Sequence, residues 1–282
     1  MESRGMEMGE FQIGLLMLPL LALSFCLWIN IIWRWKQLGW PLPFRLRRSV
    51  PWSPFEAVAV IVVILFVVTG ALLQLLSDPV TNSRAAGSYT LRQVQIQCLS
   101  QTVELALIPF VLSLWHLCYW HDFGVNFRDN RLDLGIAVWG MILVQLPMQL
   151  CEFPFRALRK TSPHPVLELL QISMGDWQTF GWIVLQVVVL APLLEELLFR
   201  VVLQGALSRD SSPAVAIGFS SAAFVCIHQP VDWAPLFPLA LTLGYVYYRR
   251  QSYLAVVVLH ALFNALNLLL AFATLPSGTP VR

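Results

Sequence analysis

Residues 190–202 read Leu-Ala-Pro-Leu-Leu-Glu-Glu-Leu-Leu-Phe-Arg-Val-Val, an apolar run that holds two adjacent carboxylates, Glu195 and Glu196, and one guanidinium, Arg200. On insertion scales, each charged side chain at the centre of a bilayer costs about 2.5–3.5 kcal/mol. Because keeping all three in so short a stretch is expensive, we expect the chain to use them. The rest of the sequence should then supply their scaffold and their partners.

The composition around this stretch is that of a membrane protein. Of the 282 residues, 57% are hydrophobic and 12% are charged, whereas soluble domains carry about 25% charged residues. Apolar segments lie at residues 11–33, 54–76, 98–120, 134–155, 178–207, 213–229, 234–249 and 253–274. The sequence therefore predicts an all-α fold, a polytopic membrane helix bundle of about eight transmembrane helices.

Charge and cysteine usage narrow the class further. The first ten residues are acidic on balance, so the first apolar segment is predicted to be a retained span and not a secretory signal peptide. The loop that follows it is basic, which places that loop on the cytoplasmic side and the N-terminus outside.

The formal net charge of +2 gives no argument for nucleic-acid binding. The five cysteines form no CxxC pair, so neither a disulfide framework nor a cysteine zinc site is predicted.

Helical geometry separates the three charges of the opening stretch. Glu196 and Arg200 are four residues apart, in the order that favours an ion pair. Glu195 projects about 100° away from Glu196, so the two carboxylates are predicted not to share one partner. Pro192 removes a helix hydrogen bond and leaves a carbonyl that needs another donor or a water. The alternative interpretation is that all three charges only hold helices together.

Two later segments bring polar groups to a similar depth. His228 ends an apolar segment with Phe224 one turn before it, and His260 and Asn264 lie one turn apart on the last segment. At 1.5 Å per residue, Glu195 lies ~20 Å, His228 ~24 Å and His260 ~12 Å from the neighbouring helix turn. These groups are therefore predicted to meet near the middle of the membrane. Taken singly, His228 fits an interfacial residue, and the last pair fits interhelical hydrogen bonding.

Two chemistries suit such a set. In the first, Glu195 is a general base that takes a proton from water with help from His228, while His260 and Asn264 donate to the oxyanion of a peptide-bond intermediate. In the second, zinc is bound by His228, His260 and either Glu195 or Glu196. The sequence has no His-Glu-x-x-His motif, and each helix offers one imidazole. The version with no metal and no cofactor is therefore favoured, and zinc is the alternative.

Three short motifs, in this order, resemble those of the CAAX protease and bacteriocin-processing family, which includes the type II CAAX prenyl endopeptidases. They are Glu195-Glu-Leu-Leu-Phe-Arg200, Phe224-x-x-x-His228 and His260-x-x-x-Asn264. Each motif alone is weak, but the three on separate spans are specific. The resemblance covers roughly residues 178–270. Many relatives have glycine after the motif arginine, whereas this chain has Val201, a difference that bears on helix packing more than on chemistry.

The resemblance implies an eight-helix bundle that cleaves peptide bonds inside the bilayer. Its motif positions imply a catalytic set and a supporting pair: catalytic Glu195, His228, His260 and Asn264, and supporting Glu196 and Arg200. Residues 178–274 would form the catalytic transmembrane core. Residues 1–177 would supply N-terminal spans and loops without a recognised motif, and residues 275–282 a short tail.

The predicted function is thus that of an intramembrane endopeptidase for CAAX-type protein or peptide processing, which uses a glutamate-activated water. The predicted partners are a peptide or membrane-protein substrate, with or without a lipid modification, and the lipid bilayer, but no nucleic acid. The predicted location is multi-pass in a bacterial cytoplasmic membrane. Two other classes compete: a non-catalytic scaffold or immunity-type protein of the same fold, and a proton-coupled transporter, although the internal repeats typical of transporters are not detected.

Overall fold

The computed structural model describes residues 2–39, 42–45, 49–76, 90–125, 129–155, 169–170 and 176–274. Within these ranges the chain forms eight helices and no strand, which confirms the predicted all-α bundle. The helices are α1 Glu2–Leu38, α2 Pro54–Leu76, α3 Leu91–Trp115, α4 Asn130–Glu152, α5 Trp177–Asp210, α6 Pro213–Cys226, α7 Trp233–Arg250 and α8 Tyr253–Thr274. The predicted tail, residues 275–282, lies outside the described residues.

Six of the eight helices are long and apolar enough to cross a bilayer, namely α1 to α5 and α8. The other two, α6 and α7, do not meet that criterion within the described residues: α6 has 14 residues, and α7 carries arginines in its last turn. Both pack against other helices of the bundle. The predicted number of about eight helices holds, whereas the number that cross the membrane on length and composition is smaller.

Both ends of α3 differ from the predicted segment 98–120: the helix begins at Leu91 and ends at Trp115. A capping box starts it early, because the Thr90 side chain accepts from the Gln93 amide while the Gln93 side chain accepts from the Thr90 amide at 2.8 Å. The extended backbone of His116 ends it. Apolar composition alone shows neither end.

The helices are arranged so that α5 lies inside the bundle. It contacts α3, α6 and α8, while α4 packs against α1, α7 and α8. Asp176 caps the start of α5, accepting from the Gln178 amide at 3.0 Å and from the Thr179 hydroxyl at 2.5 Å. The Thr179 hydroxyl is the main cause that lowers the pKa of the Asp176 carboxyl below its usual value. Every residue of the α5 segment Leu197–Gln204 is buried, so the motif stretch lies in the interior of the bundle.

A proline in α4 shows how the bundle satisfies backbone groups that a helix leaves open. Pro147 has no N–H to donate to the carbonyl of Leu143, four residues earlier. That carbonyl accepts instead from two side chains of α1, Ser24 Oγ at 2.8 Å and Trp28 Nε1 at 3.0 Å. A carbonyl without a hydrogen-bond donor costs several kcal/mol in hydrocarbon. These two hydrogen bonds therefore hold α1 against α4.

A buried charge cluster joins the loop after α1 to the ends of α4 and α7. Asp133 is fully buried and accepts from Arg250 Nε at 2.9 Å. Arg45 pairs with Asp129 at 2.5 Å, and Asp129 also lies 3.6 Å from Arg250 Nη2. The cluster holds the turn between α7 and α8 in place, which sets the height at which α8 presents its polar side chains.

Candidate active site

The motif helix α5 is not uniformly α-helical. Its turns widen to π-helical winding at Leu185–Leu190 and again at Leu197–Gln204, on either side of the α-helical turn Ala191–Glu196. The Ala191 amide accordingly donates to the carbonyl of Gln186, five residues earlier. π-Helical turns occur frequently at functional sites, where they redirect side chains and leave backbone groups open. The two glutamates are therefore carried by a short α-helical turn between two wide ones.

Carbonyls of α5 are met by side chains from other parts of the chain. The Tyr253 hydroxyl donates to the carbonyl of Leu193 at 2.6 Å, and the fully buried Trp52 donates from Nε1 to the carbonyl of Val202 at 3.1 Å. Sequence reasoning missed both residues. A tryptophan in a loop and a tyrosine at a helix start carry no motif, so no local signal identified them.

Glu196 and Arg200 form the predicted ion pair. Arg200 Nε donates to Glu196 Oε2 at 3.2 Å, and both side chains are fully buried. Glu196 also has a second partner. The other carboxylate oxygen, Glu196 Oε1, lies 2.8 Å from His260 Nδ1. Because an ionised carboxylate only accepts, a proton on His260 Nδ1 makes this contact a hydrogen bond to Glu196.

Glu195 faces the opposite edge of the same imidazole. Its Oε2 lies 3.8 Å from His260 Nε2, and its side chain is 20% exposed. The prediction that the adjacent glutamates cannot share a partner is therefore wrong. The physical reason is that an imidazole has a nitrogen on each edge, so a ring placed between two side chains that diverge on a helix can meet both. Glu196 accepts from two donors and is fully buried, whereas Glu195 keeps 20% of its side-chain surface exposed.

Phe224 places the two histidines beside each other. Its ring centroid lies 4.9 Å from that of His228 and 5.6 Å from that of His260, the latter edge-on. His228 Nδ1 donates to the carbonyl of Phe224 at 2.8 Å, which leaves its Nε2 as an acceptor. His228 is also close enough to Glu195 for a Coulombic interaction. The structure thus brings the predicted carboxylate and both imidazoles together.

Trp233 fixes the turn that carries His228. Its Nε1 donates to the carbonyl of His228 at 2.9 Å. The turn follows α6 and precedes α7, so His228 stands on a short connection held from both sides.

Arg200 extends the site into α6 and α7. Its Nη1 lies 3.4 Å from the hydroxyls of both Ser220 and Ser221, and its guanidinium lies 5.3 Å from the centre of the Phe224 ring. The hydroxyl of Ser220 donates in turn to Gln204 Oε1 at 3.2 Å. Hydrogen bonds therefore run continuously from His260 through Glu196 and Arg200 to the next helices, which braces the site.

Gln204 ends this chain of hydrogen bonds on a backbone group. Its Nε2 donates to the carbonyl of Gly244 at 2.9 Å. A Cβ on residue 244 would lie 3.1 Å from Gln204 Oε1 and 3.0 Å from Ile217 Cγ2. Glycine is what allows α7 to approach the motif helix this closely.

Asn264 lies on α8 and donates from Nδ2 to the carbonyl of Val187 at 2.8 Å. It therefore contacts the first wide turn of α5, one turn of α8 away from His260. His260 and Asn264 both face the bundle interior, as their contacts with α5 show.

The zinc alternative can be compared with the contacts that these side chains make. Among the described residues, no three His, Cys, Asp or Glu side chains are grouped as ligands of a metal ion. Both Nδ1 atoms are already engaged, that of His260 with Glu196 and that of His228 with the Phe224 carbonyl. The groups left for other partners are the two Nε2 atoms and Glu195, whose Oε2 lies 3.8 Å from His260 Nε2.

A second polar group lies inside the bundle away from this site. Glu104 of α3 is 2% exposed, and its Oε1 accepts from Ser100 Oγ at 2.8 Å and from Thr69 Oγ1 at 2.9 Å. Sequence reasoning missed it, although a lone carboxylate within an apolar segment was a usable signal. Both of these partners are neutral hydroxyls, and the Thr69 contact joins α3 to α2.

Comparison with known proteins agrees with the motifs. Residues 177–266 match the family model described as type II CAAX prenyl endopeptidase Rce1-like. No curated protein and no solved structure matches the chain. The matched region begins with α5 and ends within α8, so it contains all three motifs.

Proposed function

We propose that this chain, whose residues 177–266 match the Rce1-like family model, is an intramembrane endopeptidase that uses a water activated by Glu195. The observation that carries the proposal is the unequal environment of two neighbouring carboxylates. Glu196 is fully buried between Arg200 and His260, whereas Glu195 is 20% exposed and 3.8 Å from His260. A general base needs contact with water and a free lone pair, and of the two carboxylates Glu195 is the one with exposed surface and no hydrogen bond shorter than its 3.8 Å contact with His260.

The proposed reaction is a direct addition of water. Glu195 takes one proton from a water that also donates to His228 Nε2, and the water oxygen attacks the carbonyl carbon of the scissile bond. The resulting oxyanion accepts hydrogen bonds from His260 and Asn264. When the carbon–nitrogen bond breaks, Glu195 returns the proton to the leaving nitrogen. The products are a new carboxyl group and a new amine, and the enzyme is regenerated.

Charge balance supports the donor role of His260. Glu195, Glu196 and Arg200 together carry one net negative charge in a low-dielectric interior. A proton on both nitrogens of His260 cancels that charge and provides an Nε2–H on the Glu195 side. This donor would strengthen its interaction as negative charge develops on the substrate oxygen, which is the condition for lowering the barrier.

The substrate we propose is a peptide or membrane protein cleaved near a modified C-terminus, with CAAX-type processing as the leading case and a bacterial cytoplasmic membrane as the location. Protein purified in detergent should release the C-terminal tripeptide from a prenylated peptide ending in a CAAX sequence. Mass spectrometry of the products, with the unprenylated peptide in parallel, tests whether the lipid is required. Absence of release from both peptides would remove CAAX processing from the proposal.

A search without an assumed substrate separates the enzyme from a non-catalytic scaffold. Membrane proteomes of cells that express the wild type and Glu195→Gln should differ by at least one uncleaved precursor in the variant. A scaffold that only binds its partners predicts identical fragment patterns in both, and that result would favour the alternative.

Metal removal should leave the reaction intact. Chelator-treated protein with less than about one zinc per ten molecules is expected to keep kcat within twofold, because the proposed steps use side chains alone. Metal analysis and rates are measured on the same sample. Loss of activity with the chelator, restored by stoichiometric zinc, would contradict the metal-free mechanism.

His228 should contribute to turnover and less to stability. Since it assists the water through a free Nε2, we expect His228→Ala to lower kcat by about a hundredfold. The matched control is His121→Ala, a histidine in the loop after α3 whose replacement should not change kcat. Equal rates for wild type and His228→Ala would remove His228 from the mechanism.

A further inference from the structure

A proline in the motif helix leaves one carbonyl of that helix without its backbone donor. In the wide turn of α5, the Ala191 amide donates to Gln186, five residues earlier. In the same register the next amide would donate to the carbonyl of Val187. Residue 192 is a proline and has no N–H. The group that donates to Val187 is the side chain of Asn264, at 2.8 Å.

A second proline in this protein also leaves a carbonyl without its backbone donor, with a different consequence. The carbonyl that Pro147 leaves open in α4 accepts from Ser24 and Trp28 of α1, and there it joins two helices. At Pro192 the donor is instead a residue that faces the proposed reaction. The comparison shows that proline-freed carbonyls in this bundle attract side-chain donors, which is expected where water is scarce.

From this arrangement we infer that Pro192 is a positioning residue for Asn264, acting through the carbonyl of Val187; the inference rests on the proposed function. A carboxamide is planar and has two N–H groups on one nitrogen. When one donates to Val187, the plane is fixed and the second N–H has a defined direction in which to meet an oxyanion. Pro192 and Glu195 lie on the same α-helical turn, Ala191–Glu196. The turn that carries the proposed base therefore also carries the residue that positions Asn264.

Replacing Pro192 by alanine supplies the missing N–H and lets the backbone compete with Asn264. We expect Pro192→Ala to lower kcat about tenfold with KM unchanged within twofold, because Asn264 acts in the transition state. In an Asn264→Ala background the same substitution should have no further effect, since the group it positions is gone. An equal tenfold loss in both backgrounds would overturn the inference, because Pro192 would then act without Asn264.

A spectroscopic measurement keeps the test independent of activity. With ¹⁵N-labelled asparagine, the side-chain amide signals of Asn264 are identified by their absence in Asn264→Ala. One of its two protons should resonate downfield, and Pro192→Ala should shift it upfield and speed its exchange with solvent. The control Pro147→Ala should leave this signal and kcat unchanged. If Pro192→Ala shifts the signal but neither the wild type nor any variant cleaves peptides, the positioning of Asn264 by Pro192 is supported and the proposed function fails. If Pro192→Ala leaves the signal unchanged, the positioning role of Pro192 is overturned.

Discussion

Replacing Glu195 by glutamine should lower kcat by between about a hundredfold and ten-thousandfold, the range that a general base contributes. Glutamine keeps the size and the hydrogen-bonding shape of the side chain but cannot accept a proton from water. Because Glu195 is 20% exposed and has no tight ion pair, its replacement should leave the fold nearly as stable as before. Steady-state cleavage and thermal unfolding of the same detergent preparation measure both effects.

The matched control for this variant is Glu104→Gln. Glu104 is also a carboxylate inside the bundle, more deeply buried than Glu195, and its Oε1 accepts from the hydroxyls of Ser100 and Thr69. The Glu104→Gln variant should be less stable than the wild type but keep its kcat within about twofold. A Glu195→Gln enzyme that cleaves at the wild-type rate would show that another group activates water.

Replacing Arg200 by methionine should cost about 3–5 kcal/mol of stability, the usual result when one partner of a buried ion pair is removed. Glu196 would then remain buried with His260 as its only described ionic partner. The hydroxyls of Ser220 and Ser221 would lose their shared donor as well. Unfolding in a graded SDS or thermal series measures the loss.

Removing both charges should restore part of that stability. In Glu196→Gln with Arg200→Met, no uncompensated charge is left in the interior, so the double variant is expected to be more stable than Arg200→Met alone. Its kcat should still be reduced, because Glu196 orients His260 by a 2.8 Å contact. If Arg200→Met unfolds at the same temperature or SDS fraction as the wild type, the Glu196–Arg200 pair does not stabilise the site.

The sequence was sufficient for the parts of the site that depend on local spacing. A spacing of four residues on one helix places Glu196 beside Arg200 however the other helices pack. The structure contains this ion pair. Counting residues from the helix turns also placed Glu195, His228 and His260 at compatible depths. Long apolar segments fixed the fold class because lipid admits few other structures.

The parts that the sequence did not show depend on how separate helices meet. That His260 stands between both glutamates follows from the rotation of α8 against α5, which no local spacing determines. The wide turns of α5 and their outside donors, Trp52 and Tyr253, have the same origin. Pro192 was recognised as leaving a carbonyl open, but its partner Asn264 lies more than seventy residues later.

The measurement that tests the central claim most directly is cleavage of an identified substrate in H₂¹⁸O by metal-depleted protein, with Glu195→Gln in parallel. The account predicts that the wild type forms a new C-terminal carboxyl group containing one ¹⁸O atom, and that the variant forms it at least about a hundredfold more slowly. Formation of the labelled product at equal rates by both proteins would contradict the assignment of Glu195 as the base that activates water.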